Sequence, residues 1–154
     1  MADGTPAEQL AELLELVVEA YGLEAEVSIE DDGETLRGVV DGDDLGLVIG
    51  RHGQTIDALE HLATRIAFPE GKRDRYVEVD AGGYRERRAD ALEEQADEAV
   101  SEAISSGQPV QLDPMSSSER RLVHEYLRDS AEVETYSEGE EPKRRLIVAP
   151  ASKE

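Results

Sequence analysis

The sequence predicts an α+β protein built from two small domains, and three observations carry that expectation. Element signals run α-β-β-α-α-β over the first half, the short segment Ala81-Gly82-Gly83 interrupts the pattern, and the second half reads as helix, short strand, helix and a closing pair of strands. The chain has 154 residues, enough for one ordinary domain or two small ones, each near the lower limit of independent stability. The small residues between a strand and a helix place the division at 1–81 and 82–154.

The first helix opens on Thr5, with Pro6 suited to the first helical position and Glu8 completing a capping box. Leu10, Leu13, Leu14, Val17, Val18 and Tyr21 mark one face, and Gly22 ends it. Leu23, Ala25, Val27 and Ile29 then alternate with polar residues, Asp31-Asp32-Gly33 turns the chain, and Leu36 to Val40 supplies the partner strand. After a short apolar segment, Leu45 to Ile49, and the sequence Gly50-Arg51-His52-Gly53, a helix is expected from about Gln54 to Phe68 with Ile56, Leu59, Leu62, Ala63 and Ile66 inward. The loop "PEGKRDR" leads to an alternating strand, Tyr76 to Asp80. In the second half a long helix from Tyr84 to about Ile104 turns Leu92, Ala96, Val100 and Ala103 inward, Val110 to Leu112 forms a short strand, and Ser116 with Glu119 caps the next helix. Val133 to Ser137 and Leu146 to Val148 close the chain as a hairpin around "EGEEPK", completing a three-stranded sheet.

Composition narrows the function. No apolar run approaches the roughly 20 residues of a membrane span, and "MADGTPAEQL" lacks the basic and apolar regions of a signal peptide, so the protein is expected in the cytoplasm without membrane insertion. There is no cysteine, and His52, His61 and His124 fall in three separate segments, which argues against a metal centre. The formal net charge of −21 opposes a polyanionic ligand, but the basic residues are unevenly placed. Residues 1–49 hold one basic residue against 14 acids, residues 50–90 hold 8 of each, and residues 91–154 hold 7 against 15. Thirteen of the 16 basic residues are arginine, whose fork of donors suits phosphate and stacks on bases. The acidic excess fits either a genome-wide bias or a salty cytoplasm.

"LGLVIGRHGQTIDALEHLA" carries the most chemistry. Two glycines three apart, before a helix, let a backbone approach another chain closely, and the helix N-terminus favours an anion there. With an apolar run ending in Ile49 before it, Arg51 and His52 inside it, and α-β-β upstream, the stretch resembles the KH domain in its bacterial type II order over residues 7–80. That resemblance implies a loop clamping about four backbone nucleotides, with apolar neighbours cradling the bases. Gly50, Arg51, His52 and Gly53 would then hold phosphates, with Ile49, Gln54 and Ile56 beside the groove. His52 alternatively is a solvated loop residue, and His61 reads as a polar position on its helix.

In "DPMSSSERRLVHEYL", Arg120 and His124 are four apart on one helical face and can converge on one phosphate or base. With the downstream "TYSEGEEPKRRLIVAP", residues 84–150 resemble the small single-strand-binding domain named for that Arg and His. The resemblance implies an exposed face beside a sheet, with Arg120 and His124 toward ligand and Arg121 and Arg144 or Arg145 in support. Tyr84, Arg85 and Arg88 read either as a core anchor with a solvated basic turn or as direct RNA contacts.

A KH domain followed by an Arg-x-x-x-His domain resembles the bacterial Jag or KhpB family. Many members carry a further N-terminal domain and basic linker, and the expectation is a member lacking them. The resemblance implies a protein that binds single-stranded RNA, with single-stranded DNA as an alternative ligand, and that acts as a post-transcriptional regulator or RNA chaperone linked to cell-envelope growth and division. It also implies pairing with a smaller KH-domain protein and requires no cofactor. Two other classes compete. An enzyme finds no support in a phosphate-binding Gly-x-x-x-x-Gly-Lys, a Gly-x-Ser-x-Gly elbow or a metal-spaced His cluster. An acidic protein-interaction adaptor with degenerate RNA-binding motifs draws on the net charge.

Overall fold

In a computed structural model the chain is described over residues 3–71 and 74–152; Lys72 and Arg73 of the loop expected before the third strand lie outside the described residues, as do the two residues at each end. The chain divides into two compact units, Met1–Arg85 and Glu86–Glu154.

In the first unit, helix α1 (Pro6–Ala20) begins where expected: Thr5 Oγ1 accepts from the Glu8 N–H at 3.2 Å and the Glu8 carboxylate accepts from the Thr5 N–H at 2.8 Å. Strands β1 (Ala25–Asp31) and β2 (Thr35–Gly42) pair antiparallel, with Leu23 just outside β1 but packed on the core. The turn between them is built by two carboxylates. Asp31 accepts from the Gly33 N–H, and Asp32 accepts from the N–H groups of Glu34 and Thr35, which closes the hairpin without a long loop. The Thr35 and Glu34 amides hold the Asp32 carboxyl below its usual range.

Strand β3 (Tyr76–Ala81) lies parallel to β2, with Leu36 opposite Val77. A parallel neighbour requires a crossover, and helices α2 (Gly46–Ile49) and α3 (Gln54–Ala67) supply it. The sheet order is β1-β2-β3. Leu10, Leu14, Leu36, Val40, Val48, Ile56 and Val79 form the centre of the core, each essentially inaccessible to water. Burying a side chain of that size contributes about 1.5–3 kcal/mol, so the crossover helices are held in place by the stripe that they bury.

The Ala81-Gly82-Gly83 segment is tied down rather than loose. Ala81 is the buried last residue of β3, the Gly82 N–H donates to the Val40 carbonyl at 2.9 Å, and the buried Asp80 carboxylate accepts from the N–H groups of Ala81 and Arg85. Arg37 pairs with the same carboxylate at 3.0 Å, so Asp80 is not left as an unpaired buried charge.

Helix α4 (Tyr84–Ser106) contributes its first two residues to the first unit and the rest to the second. Leu92, Ala96, Ala99 and Ala103 are buried, while Val100, expected inward, is half-buried at the edge of the stripe. Strand β4 (Val110–Gln111), helix α5 (Ser117–Leu127) and strands β5 (Val133–Glu138) and β6 (Arg145–Pro150) complete the unit. The sheet is antiparallel in the order β4-β6-β5, so β6 is central and β5 forms an edge. Val123 and Leu127 of α5 meet Leu146, Val148 and the α4 stripe in the second core. Glu119 joins the two helices: it completes the capping box on Ser116 and accepts from Arg88 Nε at 2.8 Å.

Candidate functional site

Helix α2 stops at Gly50, whose N–H donates to the Gly46 carbonyl at 2.8 Å. The chain then turns sharply through Arg51–Gly53 before α3 starts. Gly50 has φ of 73° and Gly53 of 77°, both in the region that favours glycine. Space imposes the same choice. A Cβ on Gly50 would lie 2.2 Å from Thr55 Oγ1 and 2.8 Å from the Thr55 amide, and one on Gly53 would lie 2.7 Å from the Tyr84 ring. His52, between them, is held in the left-handed region at φ 54° without being glycine, a local strain of about 1–3 kcal/mol of the kind found at ligand sites.

The turn throws its two cations outward. Arg51 and His52 are exposed, and among the described residues neither has an ion pair. Their neighbours are otherwise engaged. Arg37 pairs with Glu30, Glu78 and Asp80, Arg75 with Asp31, and Arg85 with Asp57 and Glu60. Arg85 also donates to the Val79 carbonyl, so of the two readings of the Tyr84 segment the core anchor holds for Tyr84 and Arg85. Burial pushes the Glu60 carboxyl above its usual range, opposed by the Val79 amide and Arg85.

Of the other residues expected at this loop, Gln54 is exposed at the start of α3, and Ile49 is half-buried against the core. Ile56 is a correction. It is fully buried, because it shares the inward stripe of α3 with Leu59 and Ala63 and cannot also face a groove. Leu47, which no motif or spacing singles out, is an apolar residue 60% exposed one helical turn before Arg51.

In the second unit a groove of about 340 Å³ runs between α5 and the edge strand β5, lined by Ser117, Arg120, Arg121, His124, Thr135, Tyr136, Ser137 and Leu146. His124 Nδ1 is hydrogen-bonded to Thr135 Oγ1, which fixes the ring. Arg121 is largely exposed and touches Glu125 one turn along, a surface pair of little strength. Arg120 departs from expectation: instead of standing on an exposed face it is only 7% exposed. Its Nη1 donates to the Met115 carbonyl at 2.6 Å and its Nη2 pairs with Glu141 of the β5–β6 loop. The reason is helical phase, since Arg120 lies between the capping turn and Val123 on the side that α5 turns inward. Arg144 donates to the Gly139 carbonyl and Arg145 to Gln111, and neither lines the groove.

Sequence reasoning missed Thr135, Tyr136 and Glu141. Alternation along β5 put Thr135 on one face, but which helix that face meets is a long-range fact that no local spacing carries. Among the described residues, no group of three His, Asp or Glu side chains is placed to hold a metal ion, and no helix is long and apolar enough to cross a membrane.

Residues 7–79 match the KH domain family of KhpA and KhpB, and residues 90–150 match the family of domains named for the Arg-x-x-x-His motif. The chain is 37% identical over 148 residues to the RNA-binding protein KhpB of Lactiplantibacillus plantarum, covering 96% of this chain and 46% of that protein. It is 33% identical to the protein of the same name from Clostridium symbiosum over 94% of this chain and 66% of that one. The Bacillus subtilis protein of that name is 32% identical over 94% of this chain and 70% of its own length. The chain thus spans less than half of the first of these relatives and about two thirds of the second.

Proposed function

The chain belongs to the KhpB family, and from that membership we propose that it binds single-stranded RNA without catalysing a reaction, using the Gly50–Gly53 loop and the α5–β5 groove as two linked contacts. One observation carries the reading most. In a chain of net charge −21, where Arg37, Arg75 and Arg85 are bound to carboxylates, Arg51 and His52 stand exposed and free of ion pairs among the described residues, on a turn that two glycines make. A sugar-phosphate backbone fits that geometry: glycine allows close approach, the start of α3 favours an anion, and the two side chains supply local positive charge.

The α5–β5 groove adds Arg121 and His124, with Arg120 holding the helix start to the β5–β6 loop. Two weak sites joined in one chain gain affinity through effective concentration, so neither has to be strong alone. We further place the protein in the cytoplasm, acting as a post-transcriptional regulator or RNA chaperone in cell-envelope growth and division, in company with a smaller KH-domain protein; family resemblance supports this part.

Filter binding of a random single-stranded RNA pool tests the core of the reading. The wild-type chain is expected to retain RNA at moderate salt, and Arg51→Asp with His52→Asp to lose at least about tenfold in affinity while remaining folded, because added carboxylates repel phosphate at contact distance. No retention by the wild-type chain would favour an acidic adaptor. Equal retention by the folded double variant would remove the loop from the site.

A further inference from the structure

The α5–β5 groove ends at a sheet edge that is one strand thick, and its two sides differ in chemistry. Along β5, Val133 is buried and Thr135 and Ser137 are half-buried, on the side where Thr135 meets His124. Glu134, Tyr136 and Glu138 alternate to the other side. Tyr136 is 46% exposed and contributes to the groove lining although its side chain belongs to the opposite face. Its cross-strand partner on that face is Ile147, which is buried at 1%. Beyond β5 no further strand follows among the described residues.

We propose that Tyr136 is a base-stacking subsite, on which the strand lays a nucleobase after leaving a phosphate at Arg121 and His124 and crossing the β5 edge. The proposal rests on the reading that this groove takes single-stranded RNA. Charge sorts the two sides of the edge. Arg121 and His124 line the groove side, whereas Glu134 and Glu138 flank Tyr136 two residues to either side and repel phosphate from that face. The sugar-phosphate chain therefore stays in the groove, and the group that reaches Tyr136 is the uncharged base. A phenol ring offers a flat apolar face to any base, so the subsite is tolerant of sequence.

Fluorescence anisotropy with the whole chain tests this, using labelled octauridylate and an oligomer of the same length carrying abasic riboses. Tyr136→Leu keeps Ile147 beside an apolar neighbour while removing the ring, and Tyr136→Phe keeps the ring. Tyr136→Leu is expected to lose roughly five- to fiftyfold in affinity for octauridylate, within the range of base–aromatic stacking, and to bind the abasic oligomer within about twofold of wild type. Tyr136→Phe is expected to stay within about twofold on both. Wild-type affinity of Tyr136→Leu for octauridylate, or an equal loss on both oligomers, would overturn the subsite while leaving RNA binding intact. Failure of the wild-type chain to bind octauridylate would instead overturn the function on which the subsite rests.

Discussion

Arg51 and Arg120 both come from motifs expected to face a ligand, and the fold uses them differently. At the Gly50–Gly53 turn the conformation is set by backbone: two positive-φ glycines, the Gly50 to Gly46 hydrogen bond and the Tyr84 ring against Gly53. The side chains of Arg51 and His52 take no part in holding that shape and are left for a partner. In the α5–β5 groove the arginine is itself structural, tying the start of α5 through Met115 to the β5–β6 loop through Glu141. What faces solvent there is Arg121 and His124. The lesson is that binding and folding are separable in the first unit and share a residue in the second.

That contrast can be broken at its strongest point with Gly50→Ala. The new methyl would meet both the side chain and the backbone of Thr55, at a φ that alanine avoids, so the first unit should lose about 2–5 kcal/mol in a denaturant melt. A loss below about 1 kcal/mol would mean that the turn relaxes easily and that its glycines do not define it.

Arg120→Ala should come next, at about 1.5–3 kcal/mol, because it strips a charged donor from the Met115 carbonyl in a nearly buried position. His124→Ala, four residues along on an exposed position, should change stability by no more than about 0.5 kcal/mol while weakening RNA binding. Thermal melts of the two single variants separate the roles. Equal stability of both would return Arg120 to the surface role that its motif suggested.

Much of this was legible locally. Capping boxes at Thr5 and Ser116, the alternation of β1 and β3 and the glycine pair are short-range signals, and both sheets could be assembled from them. The misplaced residues share one cause. Ile56 and Arg120 sit in or next to motif positions in sequence, but a helix rotates about 100° per residue, and its packing phase decides which neighbour faces the ligand. For Ile56 the apolar stripe already held that information; for Arg120 nothing local could show that Met115 and Glu141 would claim an arginine. Pairings such as His124 with Thr135 and Arg85 with Glu60 depend on tertiary contact, which spacing alone does not reveal.

RNA affinity across a salt series tests most directly the idea that a chain of charge −21 holds RNA through a few exposed cations. Arg51 and Arg121 with the two site histidines allow roughly two to four phosphate contacts, so log affinity for a short unstructured RNA should fall against log salt with a slope of about −1.4 to −2.8. A slope near about −8 would demand an extensive basic channel, and a slope near zero would mean that stacking and neutral hydrogen bonds, not these cations, hold the strand; either result would contradict the account.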